Sequence, residues 1–166
     1  MTVMINVVDD PLNQQLLLRA AAAFLVVVVL FVLIHGMMNN SMRKVMYESR
    51  WISVKTFFRL RNQRDKDNKL KNEKYNVEGV YIIYNRSQKR YYVGQAHKLL
   101  SRVNNHFTAK GNGEVYADYK YHDRFRLKLI PLKGSGFKTL NELESYYIAR
   151  YKAMKEGYNK TRGNRF

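Results

Sequence analysis

Nineteen consecutive residues, Ala20 to Met38, carry no formal charge: AAAAFLVVVVLFVLIHGMM. In lipid every backbone polar group has to bond within the chain, so a run of this kind can only be a helix there. At a rise of about 1.5 Å per residue it reaches roughly 28 Å, close to the hydrocarbon thickness of a bilayer. The pattern predicts one transmembrane helix over residues 20–38. A cleaved signal peptide would have a basic leader and a shorter apolar core, whereas this run follows Asp9 and Asp10. Arg43, Lys44, Arg50 and Lys55 flank its C-terminal end, against Arg19 alone at the other. Positive-inside logic then puts residues 1–19 outside as a short extracytoplasmic segment and the rest of the chain in the cytoplasm, at a bacterial inner membrane. His35, near the cytoplasmic end, reads as an interfacial residue.

Beyond the span the chain turns basic, and the formal charge of the whole is +17. Residues 39–75 hold eleven basic and four acidic residues, and residues 76–166 eighteen and seven. That excess favours a polyanion, nucleic acid or anionic lipid. There is no cysteine, which excludes a disulfide framework and a thiolate metal site. Residues 39–75 read as a basic juxtamembrane stalk. Its first half mixes Met42, Val45, Met46, Trp51, Ile52, Phe57, Phe58 and Leu60 with cations. That suits an interfacial helix, a solvated helix, or a second layer packed on the following domain. Its second half, RNQRDKDNKLKNEK, has little to bury and reads as a charged linker.

Residues 76–166 read as a separate domain. Val80-Tyr81-Ile82-Ile83-Tyr84 and Tyr91-Tyr92-Val93 are β-branched and aromatic runs around a polar turn, Asn85 to Arg90, which is a hairpin signature. In Lys98 to Lys110, Leu99, Leu100, Val103 and Phe107 mark the apolar stripe of a short helix ended by Gly111-Asn112-Gly113. Arg102 and His106 are four apart and so project from one face of it. Phe125 to Ile130 alternates apolar and basic residues, predicting a strand with one buried and one cationic face. Lys138 to Met154 predicts an amphipathic helix with Thr139 and Glu142 as a capping box, closed by Gly157. That leaves Glu144 as a carboxylate with no local structural duty in a basic domain. One carboxylate, with waters and phosphate oxygens completing the shell, can hold one Mg²⁺.

The order Gly79-Val80-Tyr81, Tyr92-Val93-Gly94, Arg102, His106, Glu144 and Asn159 resembles the GIY-YIG nuclease family, over roughly Val77 to Asn164. The resemblance implies an α+β fold with a small three-stranded antiparallel sheet flanked by helices. It implies a site in which Tyr81 orients or deprotonates the attacking water, assisted by Tyr92 or His106. Arg102 would neutralise charge at phosphorus, and Glu144 would hold a single divalent ion, Mg²⁺ or Mn²⁺. Gly79, Gly94 and Asn159 would support the site. Lys89, Arg90, Lys98, Lys110 and Arg162 are the candidate DNA contacts. The sequence has none of the zinc or helix-hairpin-helix modules that give members of the family their selectivity, and a membrane span stands in their place. The expectation is therefore an endonuclease held at the membrane, with DNA and the bilayer as partners and no small-molecule ligand. That location suits exclusion of incoming phage or plasmid DNA. The alternatives are a membrane-tethered DNA-binding adaptor without catalysis and a protein whose basic surface hugs anionic lipid.

Overall fold

A computed structural model describes residues 11–38 and 42–163, with side chains for 12–30 and 42–163. The chain divides into two units, residues 1–40 and 41–166. The first is helix α1, Pro11–Met38, of 28 residues. Proline at its first position suits a helix start, because the missing N–H would have had no partner there. The predicted span thus starts nine residues earlier in helical form than the apolar run does. Its segment Leu12–Leu30 is apolar enough to cross a membrane and buries none of itself against protein. The N-terminal residues 1–10 and the side chain of His35 lie outside the described part.

The second unit is built on an antiparallel sheet. The strands are β1 (Ile52–Ser53), β2 (Gly79–Asn85), β3 (Arg90–Ala96) and β4 (Phe125–Pro131), in the order β1-β4-β2-β3. The sheet therefore has four strands and not three. The added one is a two-residue edge strand supplied by the region read as a stalk. It pairs Ile52 with Leu127 and Ser53 with Arg126. The hairpin forms as predicted, with Tyr81 opposite Gly94 and Asn85 opposite Arg90. Its turn is held by Asn85 Oδ1, which accepts from the N–H groups of Ser87 and Gln88 at 2.9 and 3.1 Å. In β4, Phe125, Leu127 and Leu129 are buried, while Arg126 is exposed and Lys128 half-buried, the alternation expected of it.

Helices cover both faces. Helices α2 (Met42–Tyr47), α3 (Val54–Arg61), α4 (Leu99–His106) and α5 (Gly113–Lys120) contribute to one core, together with Tyr81, Ile83, Leu127 and Leu129. Helix α6 (Leu140–Arg150) covers the other face, on Val80, Ile82, Val93 and Ile130. The interfacial and free-standing versions of the stalk do not hold. Met42, Val45, Phe57 and Leu60 are at most 2 % exposed, inside the same core as Tyr81, Ile83, Leu127 and Leu129. Of the three readings of that segment, the second packed layer is the one observed. Its apolar residues join Leu99, Leu100 and Val103 of α4 and Val115 of α5 in one cluster, which removes them from water. The charged linker is also ordered within the fold. Asp65 Oδ1 accepts from the N–H groups of Asp67 and Lys69, and buried Asn72 donates to Leu60 O and Gln63 Oε1.

Helix ends differ from expectation too. Helix α4 stops at His106 with Phe107 as its cap, before the glycines, and α6 stops at Arg150. Helix α5 was not anticipated, since its pattern Gly-Glu-Val-Tyr-Ala-Asp-Tyr-Lys buries only Val115. The capping box at Thr139 and Glu142 is present as read.

Candidate active site

Tyr81 projects from β2 into the α4 face and is 1 % exposed. Its ring lies over Gly94 of the neighbouring strand, where a Cβ would overlap the phenol hydroxyl. That close approach is why the Tyr-Val-Gly tripeptide has to end in glycine. His106 sits at the end of α4, fully buried, with Nε2 at 2.8 Å from Tyr81 Oη. Tyr92 closes the group, its ring 6.1 Å from that of Tyr81 and 5.0 Å from that of His106.

The donor pattern assigns the histidine tautomer. The Asn112 N–H donates to His106 Nδ1 at 2.8 Å, so Nδ1 carries the lone pair. The ring proton is then on Nε2, and it is Nε2–H that donates to Tyr81 Oη. Burial, and secondarily the charge of Arg102, push the His106 pKa down to about 4, so the ring is neutral at pH 7. Burial first and the neighbouring Tyr92 second push the Tyr81 phenol far above its ordinary range, while Arg102 pulls it down. Tyr81 is thus a neutral phenol whose oxygen is fixed by an imidazole donor. Arg102 itself is exposed and forms no ion pair among the described residues.

Glu144 comes from the first half of α6 and reaches the open edge of β3, 8 % exposed. Its Oε1 accepts from the Gln95 N–H and its Oε2 from Gln95 Nε2, each at 3.0 Å. Gln95 Nε2 also donates to Asn141 Oδ1 at 2.7 Å. Asn159 grips the same edge, its Nδ2 donating to Val93 O at 2.7 Å and its Oδ1 accepting from Val93 N at 2.9 Å. The Tyr158 N–H donates to Tyr91 O at 2.8 Å. Carboxylate, amide and tail together therefore do the hydrogen bonding that a further strand would do. Tyr92, Asn112, Glu144, Asn159 and the tail residues Lys160 and Gly163 line one cavity of about 240 Å³. This is where the carboxylate half meets the tyrosine half. No cluster of three or more metal-ligating side chains exists among the described residues. Glu144 alone would supply the protein's ligand. That fits Mg²⁺, which keeps waters and takes substrate phosphate oxygens. Oε1 has a second lone pair, and Oε2 would exchange Gln95 Nε2 for the ion.

The structure brings Tyr81, Tyr92, His106 and Glu144, with Asn159, around this corner of the sheet. Gly79 is demanded by packing, since a Cβ there would collide with Ile130 O and Leu99. Of the basic candidates, Lys89, Lys98, Lys110 and Arg162 are exposed. Arg90 is already engaged. It stacks on the Tyr158 ring at 4.0 Å, donates to Gly157 O and meets Glu114 at 3.3 Å. Sequence reasoning missed Gln95, Asn112 and Gly111. Gly111 packs so closely on the His106 ring that a Cβ would stand 2.5 Å from Nδ1. Only the Gly-Asn-Gly triplet signalled that this loop was special, and it was read as a helix stop.

Residues 77–159 match the family model described as the GIY-YIG catalytic domain. No curated protein and no solved structure matches the chain. The matched stretch is half of the chain, its two tripeptides lie on the paired strands β2 and β3, Tyr81 is hydrogen-bonded to His106, and Tyr92 shares a cavity with Glu144. The chain belongs to the GIY-YIG family, whose domain is of nuclease type and implies DNA as its substrate.

Proposed function

We propose that the chain is a DNA endonuclease that hydrolyses phosphodiester bonds with one divalent ion, Mg²⁺ or Mn²⁺, while α1 tethers it to the cytoplasmic face of a membrane. The observation that carries this reading is the cavity shared by Tyr92, Asn112, Glu144 and Asn159 beside the buried Tyr81–His106 pair. Glu144 would hold the ion, which when bound would supply Lewis acidity to the phosphate and stabilise the leaving oxygen. Tyr81 Oη, fixed by His106 Nε2–H, would orient the attacking water. As a neutral phenol Tyr81 would orient the water and not take its proton, which would pass to bulk solvent. His106 cannot receive that proton at Nε2, because Nε2 already bears one. Arg102, exposed and close enough to Tyr81 and His106 to shift both pKa values, would fork onto the non-bridging phosphate oxygens. Asn159 keeps the β3 edge, and with it Tyr92, in place.

The length and apolar composition of α1 support a role near the bilayer, where tethering would raise the local concentration met by entering DNA. Exclusion of phage or plasmid DNA is the biological reading that suits such a position. The test is plasmid nicking by the full-length protein in detergent with Mg²⁺, comparing the parent with Glu144→Ala and Arg102→Ala. Loss of nicking in both is expected, and equal nicking in all three overturns the assignment. A truncation at residue 76 is unsuitable, because it removes Met42, Val45, Phe57 and Leu60 from the core. Comparing full-length protein with one lacking residues 1–38 in cells challenged with labelled injected DNA tests the tether. Equal protection by both would show that it does not matter.

A further inference from the structure

A second cavity, of about 580 Å³, opens where β2 ends, β4 begins and α3 starts. Lys55, Arg86, Arg124 and Arg126 line it, over half-buried Phe58 and Tyr119. None of its lining residues bears a carboxylate. The two acids nearest in sequence are engaged elsewhere, Asp118 by the Tyr158 hydroxyl and Asp123 by the side-chain amides of Asn85 and Gln88. All four cations are exposed, and none forms an ion pair among the described residues. A few basic residues of the same unit do have a counter-charge, Arg90 and Lys160 in Glu114 and Lys152 in Glu156. Four crowded positive groups without a counter-charge repel one another, and an anion entering the cavity relieves that repulsion.

The volume says what kind of anion. A cavity of this size suits a ligand larger than a bare phosphate. The guanidinium forks match phosphate oxygens, and two aromatic rings beside them offer a surface for a base to stack on. We propose that this cavity is a second, non-catalytic polynucleotide-binding site that grips the DNA away from the scissile phosphate. The inference rests on the reading of the chain as a DNA-acting enzyme. An anionic lipid headgroup shares the charge but not the need for aromatic rings. Three of the four cations also come from the hairpin turn and the start of β4, and not from the segment that follows α1.

Geometry adds a length requirement. Tyr81 pairs with Leu129, and Phe125 at the cavity lies four residues along β4, or about 13 Å. The cavity reaches β1, and Glu144 reaches β3, three strand spacings away at about 4.8 Å each. The two sites are therefore about 20 Å apart, the rise of about six base pairs.

The experiment uses full-length protein in detergent, with Glu144→Gln preventing turnover. Fluorescence anisotropy of a short fluorescein-labelled oligodeoxynucleotide is measured against salt, with and without Arg124→Ala plus Arg126→Ala. The pair is expected to weaken binding about ten- to a hundredfold and to reduce the log–log salt slope by about 1.6, as two lost phosphate contacts should. Lys55→Ala, on a different element, should move both in the same direction by less. With the active enzyme, the same pair should raise KM more than it lowers kcat. Duplexes extending fewer than about six base pairs from the cut should gain nothing from the wild-type arginines. Unchanged affinity and slope overturn the proposal. So does a loss of binding confined to phosphatidylglycerol vesicles. If the parent protein cuts no DNA, the nuclease reading fails, but the difference in oligonucleotide binding still decides this site.

Discussion

The tyrosine half of the active corner and the carboxylate half are held by different physics. Tyr81 and His106 are sealed in the core, matched donor to acceptor, with the tautomer set by a backbone N–H. Glu144 lies at a strand edge and spends both oxygens on Gln95. The first half is finished before substrate arrives. Under the proposed function, the second would have to exchange a protein donor for an ion, so preorganisation would be complete at the tyrosine and deferred at the carboxylate.

Tests at four positions, Glu144, Tyr81, His106 and Gln95, would break or sharpen that contrast. Glu144→Ala should have the largest effect, abolishing nicking. It also leaves the Gln95 N–H without its acceptor, costing about 1–3 kcal/mol in urea unfolding. Glu144→Gln should lose the activity while keeping more of the stability. Activity surviving in either variant would remove the carboxylate half from the chemistry altogether. Tyr81→Phe should come next, lowering kcat by about 10²–10⁴ because the water-orienting oxygen is gone. If Tyr81→Phe cleaves as the parent does, the sealed half is only structural.

The pH dependence is smaller and tests the sealing itself. The folded His106 pKa of about 4 lies below the unfolded value of 6.5, so between those limits the unfolded chain binds more protons. Stability is then full above pH 6.5 and falls as the pH drops toward 4, by an amount on the order of 3 kcal/mol. Thermal melts of parent and His106→Gln across that window measure it, and a parallel decline in both would show that His106 is not its source. Gln95→Ala should have the smallest effect. By freeing Oε2 it should lower the Mg²⁺ concentration needed for half-maximal nicking a few-fold. A higher requirement would mean that Gln95 aims the carboxylate and does not compete with the ion.

Much of the site was legible in the chain because its residues sit on regular elements. The hairpin places Tyr81 opposite Gly94 through alternation alone, and the four-residue spacing of Arg102 and His106 needs only a helix. Glu144 stood out because Thr139 and Glu142 already accounted for the cap. What stayed hidden depends on contacts between distant segments. Gln95 reads as an ordinary strand residue until α6 comes alongside. Asn112 caps α5 and donates to His106, and no local pattern announces the second duty. Arg90 looked like a free cation and is committed to Tyr158 and Glu114.

By itself the sequence determined the elements whose signals are short-range: the long apolar helix, the hairpin, the capped final helix and the family to which they belong. These follow from backbone bonding and side-chain periodicity, which act over a few residues. Only the tertiary structure decided that the apparent stalk is a layer of the core and adds a fourth strand. It alone showed that the histidine is a donor, and that four cations scattered from Lys55 to Arg126 surround one cavity. Burial and the summing of charge depend on what lies nearby in space, and the order of residues along a chain does not contain that distance.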